Sequence, residues 1–256
     1  MKRSSGVRVA ATVAVSALTL ALVTGCGGDS GGGSDAKALS AAELKKAIIA
    51  DGDVEGYKVD ASGKQLPKSK EQAKSTEAQC QPLGYAMAGL PPGDSAVSNA
   101  AVMARQDRKK PTDTASKSLE EMSADEVEEA LSSATDIDLT VVGLSSYDGD
   151  GAEKTFKSVS DAVKNCSKGF PFVMQGEDQA LTEIAEEKAS GAGDESVAFT
   201  TKSDLGDGDV GTAHVEVVRH GSTIATYYTM NLGLMMTDKT YDVPAAVVEA
   251  QAAKLK

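Results

Sequence analysis

Aromatic rings and histidines are scarce in this chain. Its 256 residues include no tryptophan, six tyrosines and four phenylalanines, too few rings to build a glycan-stacking platform. Of the two histidines, His214 and His220, neither has a cysteine at ligand spacing, an HExxH pattern or a serine elbow beside it. Nothing therefore points to a zinc, redox or triad centre. No catalytic residue and no cofactor is expected. Positive charge is scarce too: 26 Lys and Arg face 38 Asp and Glu, a formal net charge of −12. Such a surface repels nucleic acid, which is excluded as a partner.

What is present begins at the N-terminus. Lys2, Arg3 and Arg8 precede an almost wholly small or apolar run from Val9 to Val23, which stops at Val23-Thr24-Gly25-Cys26. That is the layout of a secretory signal, and the run is too short for a comfortable membrane span. The "VTGC" ending resembles the lipobox of bacterial lipoproteins. The resemblance implies removal of residues 1–25, a diacylglyceryl group on the Cys26 thiol, and a membrane anchor at the extracytoplasmic face. Residues 26–38 are Gly/Ser-rich and read as a flexible tether with a reach of roughly 20 Å. Within it, Gly28-Asp29-Ser30-Gly31-Gly32 copies the string around the nucleophilic serine of chymotrypsin-like proteases. A nucleophile needs a rigid elbow and a base within reach, and this segment has no apolar residue to order it. The string is composition and not catalysis.

All three basic residues before Cys26 would leave with the signal and no acidic residue would, so the mature chain carries 23 basic against 38 acidic groups, a formal −15. With Cys26 spent on lipid, Cys80 and Cys166 remain as an even set with one possible pairing. They are either bridged, as suits an oxidising compartment, or two buried thiols.

Residues 39–256 read as one α+β domain, an antiparallel sheet with several helices packed on it. Ser40 and Glu43 form a capping-box pattern ahead of Leu44, Ala47 and Ile48. Val54 to Gly63 alternates weakly as a strand, and the segment around Cys80 reads as an irregular helix interrupted by Pro82. Residues 96–106 suggest a strand that runs into a charged turn with Arg105, Arg108, Lys109 and Lys110. Ser123 and Glu126 repeat the helix-start chemistry, and 138–148 reads as a strand. Phe156, Val159, Val163 and Cys166 make the clearest helical stripe and place Cys166 on the core face. The C-terminal part alternates with period two around an Arg219-His220-Gly221-Ser222 hairpin signal. A last helix has Pro244 at its first position.

The runs "GDESVAF", "VEVVRHGSTIATYY" and "DVPAAVVEAQAAKL", with a helix ending in "AVKNCSKGF", resemble a family of actinobacterial secreted lipoproteins. More distantly they are similar to the extracellular sensor domains of mycobacterial receptor Ser/Thr kinases. The resemblance is best over Val142 to Leu255. It implies an envelope-facing α+β domain, with a cleft for a ligand in the sensor case.

The expected function is a lipid-anchored, non-catalytic ligand-binding or sensor-like module. The alternative is a structural or accessory lipoprotein that binds another envelope protein. Two acidic Gly-rich loops offer hard oxygen ligands of the kind calcium takes, Asp204, Asp207 and Asp209 in one, Asp148 and Asp150 in the other. Neither has EF-hand spacing, and Asp and Gly are also what strand-connecting turns require. Tyr227 and Tyr228 place one ring on each face of a strand. Met230, Met235 and Met236 read as adaptable core.

Overall fold

The computed structural model describes residues 36–107, 123, 127, 135–237 and 239–256. The expected signal, Cys26, most of the tether, Arg108, Lys109, Lys110 and most of the expected helix at Ser123–Glu126 lie outside the described residues.

Nine antiparallel strands form one sheet. In chain order they are β1 Tyr57–Asp60, β2 Ala73–Ser75, β3 Ser98–Gln106, β4 Asp138–Ser146, β5 Phe170–Met174, β6 Glu177–Glu187, β7 Glu195–Gly206, β8 Asp209–His220 and β9 Thr223–Asn231. Their spatial order is β1-β3-β4-β9-β8-β7-β6-β5-β2. The middle is built from hairpins, so consecutive strands pair. The two edges are strands of four and three residues, short enough to offer little template for pairing with another chain. The described α-helices are α1 Ala41–Ala47, α2 Gln81–Met87, α3 Gly151–Asn165 and α4 Ala245–Lys254.

Alternation along β8 and β9 divides the core. Val215, Val217, Ile224 and the half-buried Tyr228 face α2 and α3, whereas Val218, Ala225 and Tyr227 face α1 and α4. The two tyrosines thus lie on opposite faces, as period two demands, and both pack into core.

Ser40 caps α1 with both bonds of the expected box: the Glu43 N–H donates to Ser40 Oγ, and the Ser40 N–H donates to Glu43 Oε2 at 2.8 Å. The helix is short, and its far end is finished by α4. Gln251, fully buried, accepts the Ile49 N–H at 3.0 Å and donates to the Ala47 carbonyl at 2.9 Å. Lys254 pairs with Asp53 at 2.5 Å and holds that carboxyl below its usual range.

Two proline expectations are corrected. Pro82 occupies the first turn of α2 and starts the helix instead of interrupting it, since its missing N–H lies where no intrahelical bond is made. Pro244 is the N-cap of α4, one position earlier than expected. The methionine expectation is also corrected: Met230 is half-buried on β9, and beyond the strand, where the chain turns off the sheet, Met235 is half-buried and Met236 exposed.

Candidate functional site

Cys80 ends a one-turn 3-10 helix before α2, and Cys166 caps the C-terminus of α3. Both are buried, and they are joined by a disulfide with Cα atoms 5.9 Å apart and a sequence separation of 86. The stripe that places Cys166 on the core face delivers it to this partner. The bridge therefore ties the two helices of one face together at the edge of the sheet.

Beside it lies a groove of about 740 Å³, where β2 leaves the sheet and exposes the end of β5. Phe170, Pro171, Phe172 and Val173 supply its apolar lining, and Lys74, Lys168 and Asp178 stand at its rim. Pro171, exposed on β5, has no N–H to offer a further strand. Gly169 makes the turn into β5 at φ +74, and a Cβ there would fall 2.0 Å from the Leu181 carbonyl oxygen. From the other side, a Cβ on Gly84 of α2 would meet the Phe172 ring at 2.3 Å. Small residues let β5 sit between α2 and β6.

The second concentration of functional groups lies on the opposite face, on the part of the sheet formed by β6, β7 and β8. Glu187, the last residue of β6, reaches across β7 to His214 on β8 and brings both carboxylate oxygens to 3.1 Å from His214 Nδ1. Cross-strand register explains the reach. The β7 residue opposite Glu187 is Ala198, whose methyl leaves room for a long neighbour. His214 is buried, and Tyr241, on the segment between β9 and α4, sets its ring edge-on to the imidazole at a centroid distance of 4.5 Å. The Tyr241 hydroxyl donates to the Thr212 carbonyl, two residues before His214 on the same strand. Burial, and then the charges of Asp138 and Glu187, push that phenol up to about 12, so it remains a donor. Asp242 follows Tyr241 and completes a set, Glu187, His214 and Asp242, with one ligand atom from each within 4.8 Å of the others.

One step along the same face, Glu216 is buried and accepts both the backbone N–H and the hydroxyl of Ser190. Tyr227 lies opposite it on β9, and its buried hydroxyl has no partner among the described residues. Burial, with Glu216 second, raises that phenol well above its ordinary value.

The candidate calcium ligands do not converge in this way. Asp207 and Gly208, at φ +53 and +91, are the two central residues of the hairpin between β7 and β8, the backbone of a type I′ turn. Asp204 Oδ1 accepts the Gly206 N–H at 2.9 Å and shapes that turn. Asp209 begins β8. In the other loop, Asp148 accepts the Ala38 N–H at 2.9 Å and Asp150 pairs with Lys154 at 2.8 Å. Among the described residues, the only metal-sized group of three is the one at His214. Sequence reading named that histidine without giving it a role and missed Glu187 and Asp242, which lie 27 and 28 positions away; the register of β6, β7 and β8 brings Glu187 across, and the return of the chain between β9 and α4 brings Asp242.

Comparison with protein-family models finds no match, and comparison with curated proteins finds none either. Among solved structures, the chain is similar to the extracellular domain of PknH from Mycobacterium tuberculosis, with a TM-score of 0.48 and 8% sequence identity over 86% of this chain and 96% of that one. At that identity and score the similarity assigns no role to any residue here.

Proposed function

We propose that this chain is an exported envelope protein, anchored by lipid on Cys26, whose residues 39–256 form a non-catalytic ligand-binding or sensor-like module. The observation that carries the reading is the buried Cys80–Cys166 bridge. Structural disulfides belong to oxidising compartments. This one uses two of the three cysteines and leaves the third at the boundary between an apolar N-terminal run and a Gly/Ser tether. A lone thiol at that position is what acylation requires. The tether then holds an acidic module off a membrane that its own charge would not bind. Within the module, the groove at the end of β5 supports a ligand with an apolar body and a polar group facing Lys74 or Lys168.

The accessory reading has its own support. Leu205, Val210, Leu232 and Met236 are all exposed, and the register of β7, β8 and β9 puts them at one end of the sheet. Several large apolar side chains exposed together mark an interaction surface more often than chance.

Expression in a bacterium that processes lipoproteins, followed by intact-mass measurement, tests the anchor. The expected mass lacks residues 1–25, carries a diacylglyceryl group and is short by two hydrogens for the bridge, and Cys26→Ser releases the protein from the membrane fraction. A mature protein with a free Cys26 thiol, or a membrane-bound Cys26→Ser variant, would overturn it.

A further inference from the structure

We propose that Glu187, His214 and Asp242 bind a divalent transition-series cation, Zn²⁺ being the ion best suited to them. The proposal is independent of the lipid anchor and stands on the placement of these three side chains.

The ligand chemistry selects the class of ion. One imidazole nitrogen with two carboxylates is a borderline-soft set that suits Zn²⁺ and its neighbours. Calcium and magnesium take oxygen shells without imidazole. The geometry is near what binding needs. Two ligands on a tetrahedral ion, with bonds of about 2.0–2.1 Å, lie roughly 3.3 Å apart, and His214 Nδ1 already stands 3.1 Å from both oxygens of Glu187. The wider limit of 4.8 Å for the set involves Asp242, which is exposed on the irregular segment between β9 and α4.

Charge makes the same point. A His–Glu pair is complete with one carboxylate, whereas here a second converges on one imidazole. A dication balances two carboxylates around a neutral imidazole. Tyr241 adds orientation, since its ring lies edge-on to His214 and its hydroxyl is tied to Thr212, which fixes the imidazole plane before any ion arrives. Three protein ligands leave a position for water or for a donor atom of a ligand, which is the composition of an open site. With the ion in place, the ends of β6, the middle of β8 and the segment leading to α4 would be joined through one centre.

The experiment uses the full chain, stripped with a chelator, dialysed, and titrated with Zn²⁺ by calorimetry. The expected result is one equivalent bound with a rise in melting temperature, and a visible absorption spectrum of a four- or five-coordinate ion when Co²⁺ replaces Zn²⁺. His214→Ala empties a buried position in β8, so Asp242→Asn, at an exposed position, is the decisive variant. It should retain the fold by circular dichroism and weaken Zn²⁺ at least tenfold. A paired change of Asp207 and Asp209 to Asn at the hairpin should leave binding unchanged. Absence of stoichiometric Zn²⁺ binding, full affinity in Asp242→Asn, or Ca²⁺ binding in preference to Zn²⁺ would each overturn the proposal.

Discussion

At the scale of single residues, the most consequential polar side chain outside the sites is Gln251. A glutamine with no solvent exposure is costly unless both ends of its amide are used, and here both are, on the Ala47 carbonyl and the Ile49 N–H where α1 ends. Gln251→Leu keeps the volume and orphans both backbone groups. At about 1–3 kcal/mol for each buried group left without a partner, the variant should lose about 2–6 kcal/mol in urea unfolding, and a loss under about 0.5 kcal/mol would mean that water replaces the amide. His220 tests the opposite case. Its Nε2 is buried with no partner among the described residues, and burial lowers its pKa against a smaller opposing pull from Asp194. A folded pKa below the unfolded one means that the unfolded chain binds the proton first. The contribution is therefore complete above the unfolded value of about 6.5 and declines as pH falls from there through the folded pKa. Melting curves from pH 8 down to about 5 should fall more steeply for the wild type than for His220→Gln, and parallel curves would show that this imidazole does not couple to folding.

At the scale of elements, what was legible depended on whether the signal was local. The capping box at Ser40, the stripe of α3 and the hairpin at His220 each carry their instruction within a few residues, and each element forms where its pattern stands. The five-residue run Phe170–Met174 was not read as a strand, because its placement comes from outside it: β6 on one side, β2 for half its length on the other, and α2 packed on Phe172 through Gly84. The same reason hid the proposed cation ligands, since Glu187 meets His214 through strand register and Asp242 reaches it from the connection between β9 and α4. Gly169 is the local key to β5, and comparison with Gly191 isolates its role. Both have positive φ, +74 and +76, but a Cβ on Gly191 meets none of the described residues within 4 Å, whereas one on Gly169 strikes the backbone of β6. Gly191→Ala should cost about 1–2 kcal/mol, the left-handed penalty alone. Gly169→Ala should cost more than that by at least about 2 kcal/mol and expose amides of β5 and β6 to hydrogen exchange. Equal costs would place the constraint in the dihedral and not in the packing.

At the scale of the whole molecule, one sheet serves two cores. The α2–α3 side and the α1–α4 side share β8 and β9, so neither layer can open without exposing the back of the other. Among the described residues no helix is long and apolar enough to cross a membrane, and the fold is closed by its own two layers of helix and by the bridge. That bridge spans a separation of 86 residues that includes β3 and β4, so it constrains a large part of the unfolded chain. In the chain-entropy picture a loop of that size contributes on the order of 4–5 kcal/mol, a large share of the 5–15 kcal/mol by which domains are usually stable. For a domain of this size each kcal/mol moves the melting temperature by about 2–4 °C. Reduction should therefore lower it by roughly 10–20 °C, with a single cooperative transition retained because the two cores share strands. Calorimetry with and without reductant, with free thiols counted in each sample, decides the matter. Two separate transitions after reduction would mean that the bridge, and not the shared sheet, is what makes the two cores unfold as one.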